Sequence, residues 1–394
     1  MSKGKNESLS TLRLSLSQLE EIREVMAERI REGLSGIDKE IRAIPTYIPP
    51  PSASGGQALV IDIGGTNVRA AVVSLTDSGE YRIRKGPAVS PFQSRWDSAE
   101  DFFDYQADLA LSLDPPSALP AGYCFSYPTR VTPEKDAVLL HWTKDLEVPG
   151  VAGKKVGKLL RAALDRKGYR TAAITVLNDT VAALAGGSRT CSAPEFSDFI
   201  GLIVGTGTNM AAYFPVERIA LEKCDRSRYH HGRMAVNLES GNFHPPHLTA
   251  FDDRLDQISG SPGRQRLEKA VSGRFLPRLY RFILEGGSEP PFPANRELVE
   301  EARNHPESEE GELALLLIER SADLTAAALA GLIEVLRPSG RVGILGEGGV
   351  INNDPPYRAR IADRLGKLLN KKSASTILQL ENVNLIGAAS AALG

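Results

Sequence analysis

Cysteine, net charge and long hydrophobic runs are all scarce in this chain of 394 residues. The three cysteines, Cys124, Cys191 and Cys224, are odd in number and far apart. They therefore predict neither a disulfide framework nor a CxxC zinc or redox site, and we interpret them as buried or incidental thiols. Lys and Arg together number 47 and Asp and Glu 49. Because the two signs of charge are nearly balanced, there is no electrostatic reason to expect nucleic acid or an anionic membrane as a partner.

Sequence patterns that would define other classes of protein are also missing. No stretch approaches the roughly 18 uninterrupted apolar residues of a transmembrane helix, and the first residues, MSKGKNESLS, lack the apolar core of a signal peptide. We therefore expect a cytoplasmic protein with no membrane partner. Neither the P-loop pattern GxxxxGK[ST] nor GxGxxG after a strand occurs, which disfavours P-loop and Rossmann nucleotide binding.

Glycine, by contrast, is abundant, with 36 residues, above an average of roughly 7%. Part of it lies in two similar segments, each an apolar run, a Gly/Thr turn and a second apolar run, which predict two β-hairpins. The segments are ALVIDI-GGTN-VRAAVVSL (58–75) and FIGLIV-GTGTN-MAAYF (199–214). Their similarity suggests an ancient duplication, with two lobes that each offer a Gly/Thr loop to one cleft. A third apolar strand, in RVGILGEGGVI (341–351), also runs into a glycine-rich turn.

Helical segments alternate with these strands. Apolar residues recur every three or four positions over 15–34, which predicts an amphipathic helix, and the segments 153–168 and 324–337 predict further helices. The alternation indicates the α/β class, and the length predicts two or three domains.

The Gly/Thr turns are candidate phosphate-binding loops. Backbone N–H groups in a turn without Cβ atoms can point together at phosphate oxygens, and threonine hydroxyls add further donors. Asp62 ends the first strand, where its carboxylate could hold Mg²⁺ through water, and Arg69 lies two residues past the turn, within reach of a terminal phosphate. The candidate loop residues are Gly64, Gly65, Thr66, Asn67, Gly205, Thr206, Gly207 and Thr208.

A series of segments resembles the hexokinases, in order, through almost the whole chain. The segments are LVIDIGGTNVR (59–69), FSYP (125–128), HWTKDLEVPGVAGKKV (141–156), VLNDTVAALAGG (176–187), IGLIVGTGTN (200–209), NLESG (237–241), SPGRQRLEK (261–269), GEGGVI (346–351) and LIGAASAAL (385–393). Each motif alone occurs in many kinds of protein, but all of them in this order and at compatible spacing are specific to this family. The resemblance implies an α/β, two-lobed, actin-like or ribonuclease H-like kinase fold with a central cleft. It also implies an enzyme that uses ATP and Mg²⁺ to make hexose 6-phosphate.

The resemblance also implies roles for individual residues. It makes Asp179 the catalytic base, Asn178 its sugar-binding neighbour and Lys144 a cation near the reacting oxygen. The residues that match the hexose contacts are Ser126, Thr143, Lys144, Asn178, Asp179, Asn209, Glu239 and Glu268. Gly346, Gly348 and Gly349 match the adenosine segment. From the residues alone, Asp179 is better explained as a helix cap, and the two glutamates as surface acids.

The chain departs from the family's pattern at several positions. Tyr127 stands where Phe is usual, Asp145-Leu146 replaces Gly-Phe, Ser240 replaces Trp, and GEGG (346–349) replaces Gly-Asp-Gly-Ser. The sugar contacts are kept, so we expect a hexokinase. The departures leave open which hexose is preferred and whether the nucleotide choice has changed.

The resemblance predicts a small lobe over 54–178 with the C-terminal helix 386–394, and a large lobe over 1–53 and 179–385. Two alternatives to a hexokinase stay open: a kinase of another sugar on the same fold, and a non-catalytic sugar-sensing regulator. The expected partners are a hexose and ATP, and either a monomer or a homodimer is compatible with the sequence.

Overall fold

A computed structural model of the protein describes residues 10–64, 67–91, 93–143, 146–285, 295–370 and 375–394. Helices and strands alternate, as expected for the α/β class. The strands are β1 (Ile44–Pro45), β2 (Gly56–Ile63), β3 (Asn67–Leu75), β4 (Tyr81–Pro91), β5 (Ala121–Phe125), β6 (Thr129–Val131), β7 (Ala137–Leu139), β8 (Ile174–Leu177), β9 (Phe196–Val204), β10 (Thr208–Pro215), β11 (Arg233–Asn237), β12 (Arg341–Glu347) and β13 (Ser375–Leu378). The helices are α1 (Leu16–Ser35), α2 (Ala99–Leu111), α3 (Val156–Arg166), α4 (Asp179–Thr190), α5 (Ala250–Gln257), α6 (Arg266–Val271), α7 (Leu276–Leu284), α8 (Asn295–Asn304), α9 (Glu309–Leu336), α10 (Gly349–Asn353), α11 (Pro355–Leu368) and α12 (Val383–Leu393).

A five-stranded sheet has the order β4-β3-β2-β5-β8. Its β2 and β3 pair antiparallel, with Ile63 opposite Val68, which confirms the first predicted hairpin. The strands β2, β5 and β8 run parallel to one another. The last six residues of β2 are all buried, because helices cover both faces of a sheet of this kind.

A second, six-stranded sheet has the order β1-β11-β10-β9-β12-β13. The neighbouring strands β9 and β10 are the second predicted strand–turn–strand unit. The third predicted strand is β12, which pairs parallel with β13 and runs through its glycine-rich end into α10.

The predicted helices are present with modest changes of length. α1 agrees with the prediction over 15–34 and begins with a capping box between Ser15 and Gln18. α3 agrees with the prediction over 153–168. α9 is longer than the predicted segment 324–337, because its N-terminal turns extend to Glu309.

The described residues divide into two compact units. The first comprises those within Met1–Ala43, Leu202–Met210 and Leu238–Gln379, and the second those within Ile44–Gly201, Ala211–Asn237 and Leu380–Gly394. The lobe boundaries drawn from the sequence differ from these and remain a prediction.

All three cysteines are free; Cys124 and Cys224 are buried and Cys191 is half-buried. Over the described ranges, no helix is both long enough and apolar enough to cross a bilayer.

Candidate active site

Three parallel strands of the five-stranded sheet bring predicted site residues to one edge. Asp62 is the penultimate residue of β2, Ser126 follows β5 directly, and Asn178 and Asp179 follow β8. Because the carboxyl ends of parallel strands meet at the same edge of a sheet, these four polar residues are brought together although 117 positions separate the first from the last.

Asp62 is a buried carboxylate, 4% exposed, and Arg69 orients it. Its Oδ2 accepts from Arg69 Nε at 3.0 Å and Nη2 at 2.5 Å. Cys124 lies directly opposite Asp62 in the β2–β5 register. Burial, together with the nearby carboxylates of Asp62 and Asp179, raises the pKa of Cys124 well above its usual value. The thiol therefore stays protonated at neutral pH.

Asp179 is the first residue of α4, whereas Asn178 is its N-cap. The Thr180 N–H donates to Asn178 Oδ1 at 2.9 Å and to Asp179 Oδ1 at 2.7 Å, and the Thr180 hydroxyl donates to the same Asp179 oxygen at 3.1 Å. Within the described residues, Asp179 Oδ2 accepts no hydrogen bond. The half-buried Asp179 thus has one oxygen fixed by the helix terminus and one available to a ligand.

An aromatic cluster holds the segments of Ser126 and Thr143. The rings of Tyr127 and Trp142 meet edge to face with centroids 5.0 Å apart. The Tyr127 hydroxyl also donates to the Gly64 carbonyl at 3.3 Å, which connects the predicted sugar segment to the first glycine turn. Ser126 is buried and Thr143 is half-buried.

The first predicted phosphate loop is described only at its ends. Gly64 closes the turn by donating its N–H to the Asn67 carbonyl at 3.1 Å. Gly65 and Thr66, predicted to bind phosphate, and Lys144, predicted to lie near the reacting oxygen, fall outside the described residues.

In the first unit, the second glycine loop packs backbone to backbone against the predicted adenosine turn. The Gly205 N–H donates to the Gly207 carbonyl at 2.9 Å, and Thr206 is exposed at the tip. A Cβ on Gly348, whose φ is +110°, would lie 2.6 Å from the Val204 carbonyl oxygen, so this approach requires glycine.

The predicted adenosine turn continues directly into α10. At its start, Glu347 Oε1 accepts from the Gly348 N–H at 3.3 Å and from Asn352 Nδ2 at 3.2 Å. Gly346 is buried, and Gly349 is exposed as the first residue of α10.

The predicted sugar residues of the first unit cluster around the second glycine loop (205–208). Glu268 Oε2 accepts the Thr208 N–H at 3.0 Å. Asn209 Oδ1 accepts the Ser240 N–H at 3.1 Å, next to Glu239, which has the left-handed φ of 56°. The structure therefore brings Asn209, Glu239 and Glu268 together, and their role as sugar contacts stays a prediction.

Three residues of these clusters were not singled out as site residues from the sequence. Gln265 donates from Nε2 to Glu268 Oε1 at 2.9 Å and has a left-handed φ of 54°. Its position in the same segment as Glu268 was the available signal. The other two are Cys124, which lies opposite Asp62 in the strand register, and Tyr127, which donates to the Gly64 carbonyl.

Comparison with known proteins identifies the class of fold. The structure is similar to the hexokinase from Schistosoma mansoni complexed with glucose, with a TM-score of 0.83 and 25% identity over 99% of this chain and 98% of that one. A ROK family glucokinase from Streptomyces griseus in complex with glucose and AMPPNP shares the fold alone, with a TM-score of 0.54 and 20% identity over 85% of this chain and 98% of that one. These similarities confirm the predicted actin-like α/β kinase fold.

The sequence comparisons specify the family. Two family models described as hexokinase match the chain, one over residues 5–188 and the other over 199–292 and 311–394. The chain belongs to the hexokinase family.

The curated relatives are longer than this chain. Hexokinase-3 of Rattus norvegicus is 32% identical over 291 residues, which cover 71% of this chain and 30% of the relative. The hexokinase of Schistosoma mansoni is 32% identical over 294 residues, which cover 71% of this chain and 63% of the relative. The match thus spans about a third of the length of the first of these and less than two thirds of the second.

Proposed function

We propose that the chain is an ATP-dependent hexokinase that phosphorylates the 6-hydroxyl of glucose or a related hexose. Family membership and the similarity to a hexokinase complexed with glucose support this proposal. The single observation that carries it is the geometry of Asp179, a half-buried carboxylate that the N-terminus of α4 fixes through one oxygen while the other remains available.

Asp179 acts as the general base in this reaction. A neutral primary hydroxyl is a poor nucleophile, so it needs an acceptor for its proton as its oxygen attacks the γ-phosphorus. Asp179 Oδ2 takes that proton, the new P–O bond forms, and the bond to the leaving ADP breaks. A positioned base of this kind contributes typically about 10²–10⁴-fold to the rate.

The polar residues around Glu268 and Asn178 recognise the hexose. A sugar hydroxyl both donates and accepts, so carboxylates and amides together satisfy a ring of such groups. We assign this role to Ser126, Thr143, Asn178, Asn209, Glu239 and Glu268, with Lys144 as a cation beside the reacting oxygen. Gln265 orients Glu268 through the 2.9 Å hydrogen bond between their side chains.

The glycine turns bind the nucleotide. Gly64, Gly65, Thr66 and Asn67 form one phosphate loop and Gly205, Thr206, Gly207 and Thr208 the other, while Gly346, Gly348 and Gly349 contact the adenosine. Arg69, which pairs with Asp62 here, exchanges that partner to reach a terminal phosphate.

The donor set at Asp62 fits Mg²⁺ held through water. Magnesium prefers oxygen ligands, keeps several waters and takes others from substrate phosphates. Asp62 supplies one buried carboxylate, and over the described ranges no group of three or more His, Cys, Asp or Glu side chains could hold a metal by itself. When bound, the ion neutralises charge on the transferred phosphoryl group.

A coupled assay of ADP release over a panel of hexoses and N-acylated amino sugars tests the proposal. Wild-type protein should turn over glucose or a related hexose. The Asp179→Asn variant keeps the oxygen that accepts from Thr180 but loses the base, so its kcat should fall by a factor of about 10²–10⁴. Its affinity for the sugar, measured by calorimetry, should stay within severalfold.

Other outcomes would point to different functions. Turnover of an acylated amino sugar in place of every hexose would identify a kinase of another sugar. Sugar binding without turnover of any substrate would identify a sensor. A near-normal kcat for Asp179→Asn would remove Asp179 as the base.

A further inference from the structure

Four arginines of the first unit surround a cavity that shares no residue with the glycine loops or the sugar contacts. The cavity has a volume of about 180 Å³, room for about six water molecules at about 30 Å³ each. Arg13 belongs to the segment before α1, Arg320 to α9, and Arg360 and Arg364 to α11. We call it the arginine cavity.

The two acids that line the arginine cavity already have cationic partners. Asp323, 2% exposed, accepts from Arg360 Nε at 2.7 Å and Nη2 at 2.8 Å, and from Arg364 Nε at 2.9 Å. Glu319 lies 2.9 Å from Arg360 Nη1. These two carboxylates therefore engage all three nitrogens of Arg360 but only Nε of Arg364.

Arg320 has a buried donor without a partner. Its Nη1 and Nη2 donate to the two carboxylate oxygens of Asp252 at 3.0 and 2.7 Å. Its Nε has no hydrogen-bond partner among the described residues. Arg320 as a whole is only 2% exposed, so this donor is also shielded from bulk solvent. A buried donor of this kind costs about 1–3 kcal/mol unless a ligand or water accepts from it.

Two further guanidinium groups keep donors available. The described part of the chain places no carboxylate within ion-pair distance of Arg13, whose side chain is exposed. The terminal nitrogens of Arg364 have one weak ion pair, to Asp363 at 3.7 Å. Arg13, Arg320 and Arg364 therefore each keep N–H donors that no described carboxylate accepts.

We propose that the arginine cavity binds a small oxyanion, carried by a phosphorylated or a polycarboxylate metabolite. Guanidinium groups present planar, charged donors whose geometry matches the oxygens of phosphate and carboxylate groups. An anion complements the guanidinium donors of Arg13 and Arg364 that the lining carboxylates leave unengaged, which a cation or a neutral sugar does not. The bound anion connects Arg13 to Arg364 and so ties the segment before α1 to α11.

Isothermal titration calorimetry on the whole chain tests this proposal, with inorganic phosphate and citrate as separate probes and chloride at matched ionic strength as reference. The Arg13→Gln and Arg364→Gln variants should each weaken binding of the effective probe about tenfold, the loss of about one charge-assisted hydrogen bond. Binding of phosphate, of citrate or of both supports the proposal and identifies the oxyanion source.

Control variants separate this site from others. Arg31→Gln removes an exposed α1 arginine that pairs with Glu334 and does not line the arginine cavity, so it should leave the affinity unchanged. Arg364→Lys, which keeps the charge and the pairing with Asp323, should fold if Arg364→Gln does not, and should weaken binding because it loses the planar fork.

Three results would overturn the proposal. The first is heat of binding for chloride equal to that for the probes. The second is an affinity that neither Arg13→Gln nor the Arg364 variants change. The third is binding that disappears only in Arg69→Gln, since the anion would then occupy the glycine loops.

Discussion

The absence of a side chain at Gly207 has two explanations, one from the sequence and one from the structure. From the sequence, its missing side chain is explained by phosphate binding alone. In the structure, a Cβ on Gly207 would lie 2.6 Å from Glu268 Oε2, the atom that accepts the Thr208 N–H. The glycine is therefore also required for the carboxylate that we assign to the sugar.

Replacing this glycine should displace Glu268 without unfolding the protein. The contact is with the end of a flexible side chain, which can move aside, but the hydrogen bond from Thr208 is then lost. We expect Gly207→Ala to raise KM for glucose about tenfold, equivalent to about 1.4 kcal/mol, in steady-state assays at saturating ATP. Gly260→Ala is the matched control, since a Cβ there meets nothing within 4 Å. An unchanged KM in a folded Gly207→Ala protein would contradict the role of Glu268.

Among the helices of the second unit, α12 packs on α4 through small residues that let the two backbones approach closely. A Cβ on Gly387 would lie 1.8 Å from the Ala182 carbonyl oxygen, and one on Gly186 would lie 2.4 Å from the Val383 carbonyl oxygen. Because both obstacles are backbone atoms, neither can rotate away as a side chain does. In the C-terminal segment LIGAASAAL, Gly387 therefore allows the short distance between α12 and α4.

Gly387→Ala should for this reason destabilise the fold. Overpacking costs typically about 1–3 kcal/mol, and a contact with backbone belongs at the upper end of that range. The urea midpoint of unfolding, followed by circular dichroism, should fall accordingly. Gly232→Ala, at a glycine of the second unit where a Cβ meets nothing within 4 Å, should leave the midpoint unchanged. Equal midpoints for the two variants would show that α12 moves to accept the methyl group.

The stability of the whole chain includes buried ion pairs, whose contribution is lost in acid. Asp252 pairs with Arg320, and Asp256 accepts from Lys269 Nζ at 2.6 Å and from Arg266 Nη1 at 3.1 Å. Burial alone would raise the pKa of both carboxyl groups, but the cations and hydrogen bonds outweigh it, so both pKa values are lowered. A carboxyl group with a lowered pKa in the folded state contributes stability above its unfolded pKa and loses it as the pH falls.

The free energy of unfolding should therefore decrease as the pH falls through about 4, the ordinary pKa of aspartate, towards the lowered values. Urea titrations between pH 7 and pH 3 measure this directly. Asp252→Asn should cost about 3–5 kcal/mol at pH 7, because it leaves Arg320 buried without its counter-charge, and should flatten the acid limb. A variant curve parallel to that of the wild type would show that Asp252 does not contribute to the pH dependence.

Local patterns were sufficient to predict much of the fold. Alternating apolar runs around GGTN and GTGTN predicted the β2–β3 and β9–β10 units, and the recurrence over 15–34 predicted α1. These features depend on residues close together in the chain. The spacing of apolar side chains and the type of turn residue determine such local structure. The order of the motifs identified the hexokinase family, which the comparisons confirm.

Contacts between distant residues required the folded chain. Cys124 lies opposite Asp62 because β5 lies beside β2, and the four arginines of the cavity come together over 351 positions of sequence, from Arg13 to Arg364. The left-handed backbone of Gln265, which aims its amide at Glu268, leaves no mark in the residue pattern. Sequence periodicity reports which face of an element is buried, whereas strand order and helix packing determine which polar groups meet there.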